Sequence, residues 1–288
     1  MGVLGAFVFA AQLVNFAIPG TGSSGHLGGG LLLAALLGPH ATVLVMGSVL
    51  LVQALFFADG GLLAFGCNLF NLGILPAYLA YPLVFSPLNR HGLRGAGAIF
   101  GALAALQLGA LAVVLETTLS GLAGLPFKAF LGSMLLIHLP IALVEGTVTA
   151  GLLAFVARAR PTTLVGPVSS VPRRLLGAVL ALALLTGGVF SWFASTRPDG
   201  LEWSLARTLG TAELQAPANF LQRWATRLQQ RTAVLPDYAF KGAGAEESTV
   251  KKTGSALSGL LGGTITLLLV VGAGWLLARR QRAAKERG

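Results

Sequence analysis

The chain of 288 residues carries four histidines and a single cysteine, Cys67. His26 has the most distinctive setting: it follows Pro19-Gly20-Thr21-Gly22-Ser23-Ser24-Gly25 and precedes Leu27-Gly28-Gly29-Gly30. Flanking glycines open backbone conformations closed to other residues and leave an imidazole room to enter a pocket. Neutral imidazole suits Ni, Co, Cu and Zn. His26 is therefore the candidate metal ligand, with an ordinary loop histidine as the alternative. One donor alone does not make a metal site. His138 and Glu145 stand seven residues apart, nearly on one helix face and about two turns apart. They read either as a proton or coupling path or as a polar bond between neighbouring helices. Asn68 and Asn71, three apart, share a helix face. With Asn15, and with Asp59 at the end of an apolar stretch, they are packing contacts in one reading. In the other they bond to a ligand histidine or line an ion's path. His40, after Gly38-Pro39, reads as an interfacial turn residue, and His91, between Arg90 and Arg94, as a solvated one.

Catalytic patterns are sparse. Gly22-Ser23-Ser24-Gly25 fits the G-x-S-G string of rhomboid-type intramembrane serine proteases, with His138 as an imaginable base. Nucleophilic catalysis requires serine and base within hydrogen-bond reach. The sequence holds no H-E-x-x-H, no Walker A lysine motif and no paired-carboxylate motif. Without a P-loop of its own, a pump built on this chain must draw energy from a partner.

The elements that position these residues follow from composition. Hydrophobic residues make up 55% of the chain and charged ones only 10%, against about 25% charged in soluble domains. Mean hydropathy is +0.78. A soluble globular domain, a disordered chain and a disulfide scaffold are excluded, the last because one thiol cannot pair internally. The expected fold is all-α, a polytopic transmembrane bundle. Its apolar stretches are 2–19, 27–38, 41–58, 62–86, 96–119, 130–157, 174–194 and 258–278, about seven or eight hydrophobic segments. The stretch 27–38 is only about 18 Å long as a helix, short of a hydrocarbon core of about 30 Å. With Pro19, Gly20, Gly22 and Gly25 upstream, it reads as a short or re-entrant helix entering from an irregular, protein-buried loop.

The net charge of +10 does not point to nucleic acid, because its location is wrong. The Arg90–Arg94, Arg158–Arg174 and Arg279–Arg287 groups flank apolar spans, as cytoplasmic loops do. The basic residues between Arg197 and Lys252 are interleaved with acidic ones, and no aromatic platform accompanies the charge. The charge rule places 20–26, 59–61, 120–129 and 195–257 outside, and Met1, the Gly38-Pro39 turn and the C-terminus inside. An inner-membrane, multi-pass protein with a cytoplasmic C-terminus is expected. The segment 2–19 lacks a basic leader and carries Gln12 and Asn15, unlike a signal peptide. Trp203, Phe220 and Trp224 with interspersed Arg and Gln suggest a short amphipathic helix on the outer surface, followed by a linker at 242–250.

Several strings occur in family order. They are Leu4-Gly5-Ala6-Phe7-Val8-Phe9, Gln12-Leu13-Val14-Asn15-Phe16-Ala17-Ile18-Pro19-Gly20 and Ser24-Gly25-His26-Leu27-Gly28-Gly29-Gly30. Val52-Gln53-Ala54-Leu55-Phe56-Phe57-Ala58-Asp59-Gly60-Gly61, Asn68-Leu69-Phe70-Asn71 and His138-Leu139-Pro140-Ile141-Ala142-Leu143-Val144-Glu145-Gly146 continue the series. Over residues 2–194 the sequence resembles the CbiM/NikM family, the metal-capturing membrane subunits of energy-coupling-factor nickel and cobalt transporters. Pro198-Asp199-Gly200-Leu201-Glu202-Trp203 and Leu235-Pro236-Asp237-Tyr238-Ala239-Phe240 resemble the PDGLE domain, related to the CbiN/NikN accessory subunit. The expected domains are 1–194, for metal capture, and 195–288, an extracytoplasmic segment closed by the span 258–278.

The resemblance implies a transporter subunit rather than an enzyme. Ni2+ or Co2+ would be its substrate, no cofactor would be permanently bound, and a transmembrane coupling subunit and ATPase subunits would be its partners in the lipid bilayer. It implies that His26 supplies one nitrogen, and that a terminal amine, a backbone amide and a second imidazole of an N-terminal Met-His pair supply the rest. An all-nitrogen, near-planar set disfavours Ca2+ and Mg2+. Residue 2 here is Gly. Either an earlier start codon restores the family's extra span ahead of the Gly2 string, the reading preferred because every downstream string survives, or the chain is truncated and its metal binding impaired. A secondary permease for a small solute and an intramembrane protease are the alternative readings.

Overall fold

A computed structural model describes residues 1–121, 124–159, 172–212, 219–240 and 248–285. Arg160 and most of the expected 242–250 linker lie outside the described residues. The architecture is helical, with one two-residue β-pair. Its helices are α1 (Gly2–Gln12), α2 (Gly30–Leu37), α3 (Pro39–Phe56), α4 (Phe65–Leu69), α5 (Ser86–Arg90), α6 (Arg94–Leu119), α7 (Phe127–Ala159), α8 (Arg173–Gly188), α9 (Gly200–Leu209), α10 (Phe220–Thr232) and α11 (Ser248–Lys285).

Among the described residues, six helical stretches are long and apolar enough to cross a membrane: Pro39–Phe56, Phe65–Arg90, Arg94–Leu119, Phe127–Ala159, Arg173–Phe193 and Thr249–Arg280. The chain is a multi-pass membrane protein. The count is six rather than seven or eight because two of the eight apolar stretches form short helices. In 2–19 the helix stops at Gln12. There the chain turns to spend its backbone elsewhere: Asn15 accepts from the Ser195 N–H at 2.7 Å, and Phe16–Ala17 pairs antiparallel with Ser24–Gly25. In 27–38 only Gly30–Leu37 is helical, entered through Gly29 at φ 78° and ended by Gly38 at φ 82°, with Pro39 opening α3. Non-glycine residues resist such left-handed angles, so these two positions fix where α2 begins and ends.

The span Phe65–Arg90 is α-helical only at its ends. Phe70–Ile74 and Pro76–Phe85 are π-helical, with Pro82 inside the second stretch. π-Helical turns inside α-helices are frequent at functional sites. They bring Asn68, Asn71, Leu72 and Pro76 to one surface. Close backbone approach sets the packing of α6 on α7, where a Cβ on Gly146 would lie 2.6 Å from Ile99 Cα. It also sets α8 against α11, where a Cβ on Gly187 would lie 3.1 Å from the carbonyl carbon of Gly259. Such small-residue contacts let membrane helices approach without a hydrophobic driving force. α1 packs in the same bundle, with a Cβ on Gly5 meeting Thr266 and Val45 at 3.2 Å.

The described residues between 195 and 240 fold back on the loops at one end of this bundle. Ser24 N–H donates to Pro198 O at 2.7 Å, and the Trp203 indole N–H donates to Thr21 O at 2.9 Å. Val234 and Asp237 donate backbone N–H groups to Phe56 O and Phe57 O at 2.9 and 2.8 Å. Of the segments expected outside, 195–257 is thus joined by hydrogen bonds to 20–26 and to the end of α3 just before 59–61. α9 starts on a capping box in which Asp199 accepts from Glu202 N–H at 2.8 Å and Glu202 accepts from Asp199 N–H at 3.1 Å. The expected single amphipathic helix is divided. Trp203 lies on α9, turned to the Thr21 carbonyl, while Phe220 and Trp224 lie on α10, which is capped by Asn219 and leaves Phe220, Leu221 and Trp224 exposed.

Candidate functional site

Two adjoining cavities lie where the 13–29 loop meets the segment after 194. One, of about 160 Å³, is lined by His26, Asn68, Asn71, His138 and Glu145 together with Asp199 and Gly200. The other, of about 420 Å³, is lined by His26, Asn15, Asp59 and Asn68 with Gln12, Gln53, Asp199, Glu202 and Tyr238. Every residue singled out from the sequence as a ligand, partner or path candidate lines one or both. His26 lines both, as do Asn68, Leu72, Asp199 and Leu201, so its loop forms part of the partition between them.

The loop is held by hydrogen bonds reaching in from three helices. Glu145, on α7 and buried, accepts from Gly28 N–H at 2.7 Å and Gly29 N–H at 3.1 Å. Gln12, at the end of α1, donates to Gly28 O at 2.8 Å and accepts from Gln53 Nε2 of α3 at 2.8 Å. Buried backbone groups of an irregular segment need such partners. Glycine is also required sterically: a Cβ on Gly30 would collide with Leu72 O, and one on Gly28 would lie 3.2 Å from Glu145 Oε2.

His26 Nδ1 lies 3.2 Å from Leu27 O, and His138 Nδ1 lies 2.7 Å from Met134 O. A carbonyl only accepts, so each contact engages Nδ1 as the donor and leaves Nε2 as the nitrogen through which a neutral imidazole ligates. Asn71 donates to Glu116 Oε2 at 2.9 Å, while its Oδ1 is buried against the smaller cavity with no hydrogen-bond partner. Asn68 donates to Gly60 O at 3.3 Å. Asp59 accepts a hydrogen bond from the hydroxyl of the half-buried Tyr238. Burial, then the carboxylate beside it, push that phenol well above its ordinary pKa.

Among the described residues no group of three or more His, Cys, Asp or Glu forms a metal-holding cluster. His40 lies outside both cavities, paired with the Tyr78 hydroxyl at 2.6 Å. The serine-protease arrangement is not assembled. Ser24 Oγ donates to Arg197 O at 2.7 Å and Ser23 Oγ to Ser24 O at 3.1 Å, both hydroxyls bonded to carbonyls rather than to a base.

Sequence reasoning passed over Gln12 and Gln53, which hold the loop, and Asp199, which lines both cavities. Two signals were available. Gln12 and Gln53 are polar groups inside apolar stretches, and Asp199 belongs to the quoted Pro198-Asp199-Gly200 string. Tyr238 also stands in a quoted string, Leu235-Pro236-Asp237-Tyr238, but its partner Asp59 lies 179 residues earlier, so the string did not reveal what it bonds.

Comparison of the sequence with known proteins matches it to a family. The model for the cobalt uptake substrate-specific transmembrane region, CbiM, matches residues 1–163, and that for the PDGLE domain matches residues 173–279. The chain belongs to the CbiM family. A NikMN-type fused chain of Archaeoglobus fulgidus is 32% identical over 284 residues, covering 98% of this chain and 86% of that one. The fused nickel transport protein NikMN of Rhodobacter capsulatus is 32% identical over 271 residues, 82% of this chain and 76% of that one. The cobalt transport protein CbiM of Sorangium cellulosum is 36% identical over 169 residues, 57% of this chain and 75% of that one. No solved structure matches the chain. This CbiM–PDGLE fusion is a transport protein, not an enzyme.

Proposed function

We propose that this fusion is the membrane substrate-binding component of an ATP-driven energy-coupling-factor importer for Ni2+ or Co2+. A transmembrane coupling subunit and ATPase subunits would be its partners. The observation that carries the reading is the position of His26: one imidazole, held at Nδ1 with Nε2 left to ligate, on the shared wall of two cavities. Soft-to-borderline divalent ions favour imidazole over the oxygen sets of Ca2+ and Mg2+.

In this reading the larger cavity receives the ion from outside. Asp59, Asp199 and Glu202 against Arg197 give its lining a net negative charge, which concentrates cations at its mouth. His26 contributes one nitrogen to the ion's shell. Asn15, Asn68, Asn71 and His138 line the path on either side of it. Residues 1–194 form the capture part, and 195–288 the accessory part that closes over its loop, with the C-terminus cytoplasmic in a bacterial inner membrane.

The test is uptake of radioactive Ni2+ and Co2+ by cells carrying the full chain with its coupling and ATPase subunits. The wild type is expected to take up one or both ions saturably, and His26→Ala to lose that uptake. Uptake untouched by His26→Ala sinks the site, and uptake that persists without ATPases points instead to a secondary permease.

A further inference from the structure

The His26 loop is gripped at one residue, Gly28, through the two peptide units that flank it. The Gly28 N–H is taken by Glu145 Oε2 at 2.7 Å and its carbonyl by Gln12 Nε2 at 2.8 Å, with Gln53 steadying Gln12 at 2.8 Å. The three side chains come from α7, α1 and α3, and all three are buried. Gly28 lies two residues beyond His26, and the intervening Leu27 carbonyl is the group that holds the imidazole Nδ1. Rotation of the Leu27–Gly28 peptide therefore turns His26 as well. Nearby, Gly29 has φ +78°, and a Cβ there would meet Val8 Cγ1 at 2.8 Å, so the loop has little room to find another path.

We infer that Glu145 and the Gln12–Gln53 pair are positioning residues: by clamping Gly28 from opposite sides they aim His26 Nε2, and so set how tightly Ni2+ or Co2+ is held. This rests on the capture reading above. The clamp also gives helix movement a route to the ion. Any shift of α7 against α1 and α3 must lengthen one of these bonds or turn the Gly28 peptide. Glu145 does this job where glutamine cannot. A carboxylate offers an acceptor to each of the two N–H groups, whereas an amide of the same size accepts one and turns its own NH2 toward the other.

The experiment titrates NiCl2 into the purified full chain in detergent and compares wild type, Glu145→Gln and Gln53→Leu. Removing a bond that orients a ligating histidine typically costs 10- to 100-fold in metal affinity. That loss is expected in both variants, with a shifted visible absorption spectrum of the Ni2+-saturated protein. In metal-free protein, amide exchange at Gly28 and Gly29 is expected to quicken at least about tenfold in Glu145→Gln, with α6 protection unchanged. A wild type that binds Ni2+ beside a Glu145→Gln protein of equal affinity and identical spectrum overturns the inference alone. A wild type that binds no Ni2+ overturns it together with the capture reading, and the metal-free exchange then reports separately on the clamp. Gln53→Leu acts one bond further from the loop, so it decides the matter should Glu145→Gln fail to fold.

Discussion

Tyr238→Phe tests how the segment after 194 is held to the bundle. Tyr238 stacks on Phe57 with ring centroids 5.2 Å apart and planes 23° from parallel, and its hydroxyl donates to Asp59. Around it, Val234 and Asp237 donate backbone N–H groups to Phe56 O and Phe57 O. The contact also holds an unfavourable backbone, since Asp237 and Tyr238 both have positive φ, 49° and 59°. Angles of this kind cost about 1–3 kcal/mol each at non-glycine residues and persist only where the surroundings enforce them. Phenylalanine keeps the stack and removes only the hydroxyl. A hydrogen bond to a charged group contributes about 1.5–3 kcal/mol, so the docked-to-undocked ratio should fall about 10- to 140-fold. Hydrogen exchange at the Val234 and Asp237 amides should quicken by that factor, with α6 unaffected. Unchanged exchange would refute the latch and leave apolar packing around the buried Leu235 as the force that docks the segment.

The same hydroxyl gives the latch a pH dependence of known sign. Docking raises the Tyr238 pKa well above its ordinary value, so the docked form retains its proton while the undocked phenol ionises near pH 10. Docking is then undiminished below about pH 10 and weakens as pH rises through the interval up to the docked pKa. In Tyr238→Phe that alkaline slope should vanish. An identical slope in the variant would assign it to another group.

Two glycine substitutions probe the packing beneath the loop. Ala at Gly146 would put a methyl 2.6 Å from Ile99 Cα and 3.3 Å from Ala98 O. Backbone cannot yield as a side chain can, so α6 and α7 must separate at an overpacking cost of about 1–3 kcal/mol or more. A melting temperature in detergent equal to wild type would count against this packing. Ala at Gly25 would meet Ile141 Cγ1 and Cδ1 at 2.5 and 2.6 Å. That clash is with a side chain, so Gly25→Ala should weaken Ni2+ binding while Gly25→Ala/Ile141→Ala restores most of it. A double variant as weak as the single one would place the damage elsewhere.

Much of the fold was legible because membrane spans announce themselves by length and apolarity, and each of the eight apolar stretches contains a helix. What those stretches could not reveal was where helix yields to loop inside an apolar run. The run 2–19 stays apolar past Gln12, yet its backbone leaves the helix to pair Phe16 and Ala17 with Gly25 and Ser24. The site divides along the same line. A polar residue in an apolar stretch must have a partner, so Asn15, Asn71, His138 and Glu145 could be picked out by residue type alone. The identity of the partner is a property of topology. The seven-residue spacing of His138 and Glu145 predicted a shared helix face, read as a path or as a polar bond to neighbouring helices. Both line one cavity, but that face did not set them on each other. Instead, Glu145 reaches across 117 residues to the Gly28 N–H, and His138 Nδ1 is spent on Met134 O of its own helix. The glycines around His26 were read as freedom for an imidazole. They also leave bare N–H and C=O groups that Glu145 and Gln12 can seize, so the flexibility that admits the histidine is removed by the residues that aim it.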